Sequence, residues 1–151
     1  MKRIRLAAVL ALTAAAVPAW GQVTVSQPWV RGIVEGQKAT GAYMQVRSAD
    51  GAVLVAARSP IAGVVEIHEA RMENNMMRMR AVPKVDLPAG QTVELKPGGY
   101  HVMLMDLRQT PKAGDTVPIT LSVVGRDGKT QEIEVKAEVR ALGAAGGHPK
   151  H

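Results

Sequence analysis

Two histidines and two methionines, His68, Met79, His101 and Met103, are spread through a 151-residue chain that contains no cysteine. Ten residues separate His68 from Met79, twenty-one separate Met79 from His101, and His101 and Met103 form a His-x-Met step. A thioether has no proton to lose; it is a poor donor for zinc, calcium or magnesium and a good one for a soft ion such as Cu(I). Combined with imidazole it gives a neutral set that favours Cu(I) over Cu(II). The absence of a thiolate closes blue-copper electron transfer. No Ser or Cys nucleophile motif and no carboxylate pair around the histidines marks a hydrolase, so the chain is read as a non-enzyme. The structural alternative stays open at this point, because methionine fills cores well. Six of the eight methionines fall between Met72 and Met105, which weakens that alternative without removing it.

A strand is the element that would position these groups. Residues two apart on a strand share a face and lie about 6.6 to 7 Å apart. His101 and Met103 then point one way, with Met105 beside them, while Tyr100, Val102 and Leu104 form an apolar row toward a core. Met105 is assigned to packing or shielding in preference to transient ligation during handover, Met44 to the core, and Met72, Met76 and Met77 to the rim or core. Nothing ties Trp29 to the metal. Glu66 shares a face with His68, although a backbone carbonyl is the preferred partner for the second ring N–H. A site that releases its ion by ligand exchange should keep His101 and Met103 near the surface.

The rest of the chain reads as β. Period-two apolar runs predict nine strands, over 23–26, 41–47, 53–59, 64–72, 77–82, 91–95, 100–107, 116–124 and 131–139. Gly- and Pro-rich turns punctuate them, and Asp127-Gly128 is the clearest hairpin. The expected fold is all-β, a single-domain sandwich or barrel with an aliphatic core, since Phe is absent. Residues 1–21 have a basic start and an apolar run from Leu6 to Val17, the layout of a signal peptide cleaved after Ala19 or Gly21. The run is too short for a comfortable membrane span, and without cysteine it is not a lipoprotein signal. Removing it lowers the net charge from +6 to +3. With no aromatic ladder beside the scattered basic residues, nucleic acid is not an expected partner. The mature domain is placed at 22–140, free of any membrane span. The Gly-rich stretch 141–151 is read as a flexible tail carrying His148 and His151.

Several motifs together resemble the PCuAC family of periplasmic copper chaperones: Val-Glu-Ile-His around His68, Met77-Arg78-Met79-Arg80, Leu87-Pro88-Ala89-Gly90, the block from Pro97 to Met105, and Lys112-Ala113-Gly114-Asp115. Trp29-Val30-Arg31 and the segment from Gly36 through Tyr43 look like that family's amino-terminal half. The resemblance implies a cupredoxin-like Greek-key β-barrel or sandwich that binds one Cu(I) through His68, Met79, His101 and Met103. It also implies a periplasmic location and delivery to the CuA centre of cytochrome c oxidase subunit II, alongside Sco-type proteins. A Met follows the first His in some members; here that position is Glu69. Tail histidines in some relatives are proposed to hold Cu(II), a role His148 and His151 would fill. General copper storage and a metal-free interaction module are the competing readings.

Overall fold

Alternation of aliphatic and polar residues gives most strands one dry face, and those faces are buried together. The computed structural model describes residues 22–141. Its strands are β1 (Val23–Arg31), β2 (Ala39–Ser48), β3 (Ala52–Arg58), β4 (Ala62–Glu73), β5 (Met76–Ala81), β6 (Val85–Leu87), β7 (Thr92–Leu95), β8 (Tyr100–Leu107), β9 (Thr116–Gly125) and β10 (Thr130–Arg140). Among the described residues there is no helix, so the all-β expectation holds.

Hydrogen bonding runs in the order β5-β4-β8-β2-β1-β10-β9-β3-β6, with β7 also paired to β2. β2 serves two neighbours on one side: Ala39–Ala42 pair with β8, and Met44–Arg47 pair with β7. The first and last strands meet in parallel, Val30 opposite Val139. The sheet wraps a core of Val30, Met44, Leu54, Leu87, Leu95, Leu104, Ile119, Leu121 and Val139, all 2% exposed or less. Burying an aliphatic side chain of this kind contributes roughly 1.5 to 3 kcal/mol. In β8, Val102 and Leu104 are fully buried in this core, as the parity of the strand predicts.

Turn chemistry sets where the site strands begin and end. Asn74 (φ 50°) and Asn75 (φ 61°) both occupy the left-handed region, the requirement of a two-residue type I′ hairpin, and join β4 to β5. Lys96-Pro97-Gly98-Gly99 precedes β8, with Pro97 second, Gly98 at φ 84°, and Gly99 N–H donating to Lys96 O at 3.0 Å, a type II pattern. Asp127-Gly128 joins β9 to β10, as expected.

Two elements differ from the sequence reading. β6 lies between Pro83 and Pro88 and is too short to show a period, yet Val85 and Leu87 are buried. β1 does not end at Ser26. It continues to Arg31 through a bulge, since Ser26 faces Gln45 while Trp29 faces Tyr43, three steps against two. Gln27 takes a positive φ of 51° there, and Pro28, which has no N–H to donate, sits where the ladder is already interrupted. The extra residue reverses the strand's phase. Without it Pro28 would oppose Tyr43 and Trp29 would turn to the other face. Deleting Gln27 should therefore remove the Trp29–Tyr43 contact: the near-UV circular dichroism of the aromatic residues collapses while the far-UV β signal persists. An unchanged near-UV spectrum would contradict this role for the bulge.

Candidate metal centre

The register brings the two histidines face to face across neighbouring strands. In the antiparallel pair β4–β8, His68 lies opposite His101 and Glu66 opposite Met103, and in β4–β5, Ala70 lies opposite Met79. Directly opposed residues share a face, so all four candidate ligands stand on one side of the sheet. His68 is the hub of this lattice. Its ring centroid is 5.8 Å from that of His101, with the planes tilted by 60°. Met103 and Met79 are its diagonal neighbours on the two flanking strands, at about 7 to 8 Å, within reach of long side chains. The small Ala70 leaves the path from Met79 to His68 low.

The four groups are not equally enclosed. His101 is 2% exposed and Met103 half-buried, whereas Met79 stands apart on the edge strand with 60% exposure. The expectation that His101 lies near the surface is thus corrected: the ring is walled in by its neighbours on the ligand face. Tyr43 packs at 6.1 Å between centroids, Trp29 stacks on Tyr43 at 4.5 Å, and the Arg31 and Arg140 guanidinium groups lie over Tyr43 and Trp29 at 5.5 and 4.8 Å. Planar groups therefore run continuously from β10 across β1, β2 and β8 to β4. Gly41, opposite Met103, permits this, because a Cβ there would meet the Tyr43 hydroxyl at 2.5 Å. Sequence reasoning missed both aromatic residues as parts of the site: the bulge, which a period-two reading cannot see, brings Trp29 to this face, and the pairing of β2 with β8 brings Tyr43.

Hydrogen bonds fix which ring nitrogens are free. His101 Nδ1 lies 3.1 Å from Gly99 O. A carbonyl only accepts, so Nδ1 carries the proton and Nε2 keeps its lone pair. Gly99 O also accepts from Ala70 N–H at 2.9 Å, which pins that carbonyl between β4 and the turn before β8. His68 Nε2 donates to Glu66 Oε2 at 2.8 Å, so here a carboxylate replaces the carbonyl preferred from sequence, and Nδ1 is the free nitrogen. Such partners orient imidazole for a metal. Among the described residues no three His, Cys, Asp or Glu side chains gather, and the thioethers of Met79 and Met103 stand on the same face as the two imidazoles. His148 and His151, the tail and the 1–21 leader lie outside the described residues.

Burial holds the pKa of His101 below its ordinary 6.5, aided by the nearby His68 and Arg31 and opposed by the Gly99 hydrogen bond. The imidazole is therefore neutral at pH 7. Because the folded value lies below the unfolded one, the unfolded chain takes up the proton first as pH falls. The stability linked to this group is complete above about pH 6.5 and is lost as pH drops through the folded value. An NMR titration of the metal-free domain should place the His101 midpoint below 6.5, with Nδ1 protonated throughout. A midpoint at or above 6.5 would refute this account of the ring's surroundings.

The fold recurs in known proteins. The LpqE-like family profile matches residues 23–139. "Putative lipoprotein Lxx21020" from Leifsonia xyli subsp. xyli is 34% identical over 114 residues, covering 75% of this chain and 68% of the relative. The copper-bound PCuAC domain from PmoF2 superimposes with a TM-score of 0.65 at 26% identity, over 82% of this chain and 96% of that domain. The apo form of DR1885 from Deinococcus radiodurans gives 0.58 at 32% identity, over 93% and 96%. Its Cu(I) form gives 0.56 at 29%, over 89% and 85%. The resemblance read from the motifs is borne out by these structures, and the fold is the cupredoxin-like β-sandwich of PCuAC domains. The protein belongs to the LpqE-like family.

Proposed function

We propose that this protein is a copper chaperone that binds one Cu(I) through His68, Met79, His101 and Met103 and carries it in the periplasm. The observation that carries this reading is the His68–His101 pair, with Nδ1 of one ring and Nε2 of the other free and a thioether diagonal to His68 on each side. Copper-bound and Cu(I)-bound structures among the similar proteins support the choice of cargo. A thiol-free donor set also avoids disulfide formation in an oxidising compartment. The relative's name as a lipoprotein supports a place outside the cytoplasm, in keeping with the leader read over 1–21. Among the described residues no helix is long and apolar enough to cross a membrane.

Exchange proceeds one donor at a time. The exposed Met79 is the first ligand an acceptor can displace, and the buried His101 is the last to let go. The acceptor in this reading is the CuA centre of cytochrome c oxidase subunit II, reached directly or through a Sco-type protein. His148 and His151 hold Cu(II) separately. The chemistry asked of the chain is binding and release, with no catalytic step.

Anaerobic Cu(I) titration against a chromophoric competitor should show one tight equivalent, with or without residues 142–151. Met103→Ser and Met79→Ser should each weaken it at least tenfold, about 1.4 kcal/mol. Unchanged affinity in both variants would end the four-ligand proposal. Acid should release the ion only through the histidines, because thioethers do not titrate.

A further inference from the structure

The β4–β5 hairpin exposes four methionines: Met72 at 61%, Met76 at 60%, Met77 at 50% and Met79 at 60%. β5 is exposed at every residue and forms the edge of the sheet. Large apolar side chains left open in this density are unusual on a protein surface. The register sorts them. Met72 is directly opposite Met77, and Met79 is opposite Ala70, so Met72, Met77 and Met79 share the face that carries His68 and His101. The other face of the hairpin carries charge: Glu69 pairs with Arg71 and Arg80, each at 3.1 Å, and Arg78 with Glu73 at 3.6 Å. That clamp holds the Glu69 carboxyl below the usual carboxylate range, Arg80 contributing most. One side of the arm is thus ion pairs and the other side thioethers.

We infer that Met72, Met77 and Met79 form a second, solvent-facing site for a monovalent soft cation, through which Cu(I) reaches the histidine pair. Directly opposed side chains on neighbouring strands have Cβ atoms about 4.5 to 5.5 Å apart. Residues two apart on one strand are about 6.6 to 7 Å apart. Three unbranched side chains on that triangle bring their sulfurs around one ion without moving the backbone. Thioethers alone, neutral and soft, take Cu(I) or Ag(I) and leave harder ions in water. Met79 belongs to both sites, since it neighbours Met77 along β5 and His68 across the sheet. Transfer inward exchanges dative bonds only. The sulfurs of Met72 and Met77 leave as a free ring nitrogen of the histidine pair enters, Met79 stays bound, and the ion remains monovalent with no proton moved. The inference rests on the proposed function for the identity of the cargo, and on the hairpin's own geometry for the site.

The full chain, carrying 13C at its methionine methyls, is titrated with Ag(I), which needs no protection from oxygen. The first equivalent should shift Met103 and Met79, and the second should shift Met72 and Met77. In Met72→Leu/Met77→Leu, which keeps the apolar surface and leaves the core untouched, the first step should persist and Met79 should show no second shift. In His68→Ala/His101→Ala, Met72 and Met77 should still respond. Met72 and Met77 methyls that stay silent through two equivalents, or a second Met79 shift that survives the double Leu variant, would overturn the hairpin site. Silence of Met103 with a response at Met72 and Met77 would instead uphold the hairpin site and discard the four-ligand one.

Discussion

The pairing of β4 with β8 is the constraint on which the site depends. Side chains of a strand alternate with a period of two, and a slip of one residue would send either histidine into the aliphatic core. The register holds because Val102 and Leu104 have to be buried on the opposite face, and they are fully so. The same ladder that dries the core sets His68 against His101. Burial thereby sets the geometry of the pair: the hydrophobic effect chooses the register, and the register places the two imidazole centroids 5.8 Å apart.

Around this pair the backbone supplies orientation and the aromatic residues supply enclosure. A proline-glycine turn delivers the Gly99 carbonyl to His101 Nδ1, so the tautomer is written into the start of β8. A bulge in β1 turns Trp29 onto Tyr43, and Tyr43 in turn covers the flank of His101 across Gly41. Bulges commonly re-aim side chains in this way. The resulting low-dielectric wall keeps His101 neutral and ready to donate. The edge hairpin does the opposite, leaving its sulfurs in solvent. Along one face of the sheet exposure drops from Met72 and Met79, both open to solvent, to the buried His101.

Much of this was legible in the residues alone. Soft, proton-free donors without thiolate specify the class of ion, alternation specifies strands, and the placing of Val102 and Leu104 opposite His101 and Met103 follows from parity within β8. Less legible was anything that interrupts the period. The bulge at Gln27 and Pro28, the three-residue β6 between prolines, and the Asn74-Asn75 turn all depend on local φ values or on burial by distant partners, to which a sliding alternation is blind.

By itself the sequence determined the donor chemistry, the β class, and the faces of individual strands, because these follow from side-chain type and from a period of two that operates within one segment. Only the tertiary structure decided that His68 is the centre of the lattice, that Glu66 holds its Nε2, that Trp29 and Tyr43 enclose His101, and that four methionines stand in solvent. The reason is physical: each of those facts requires strands far apart in the chain to choose their neighbours and register, and that choice is made by the burial of the whole core at once.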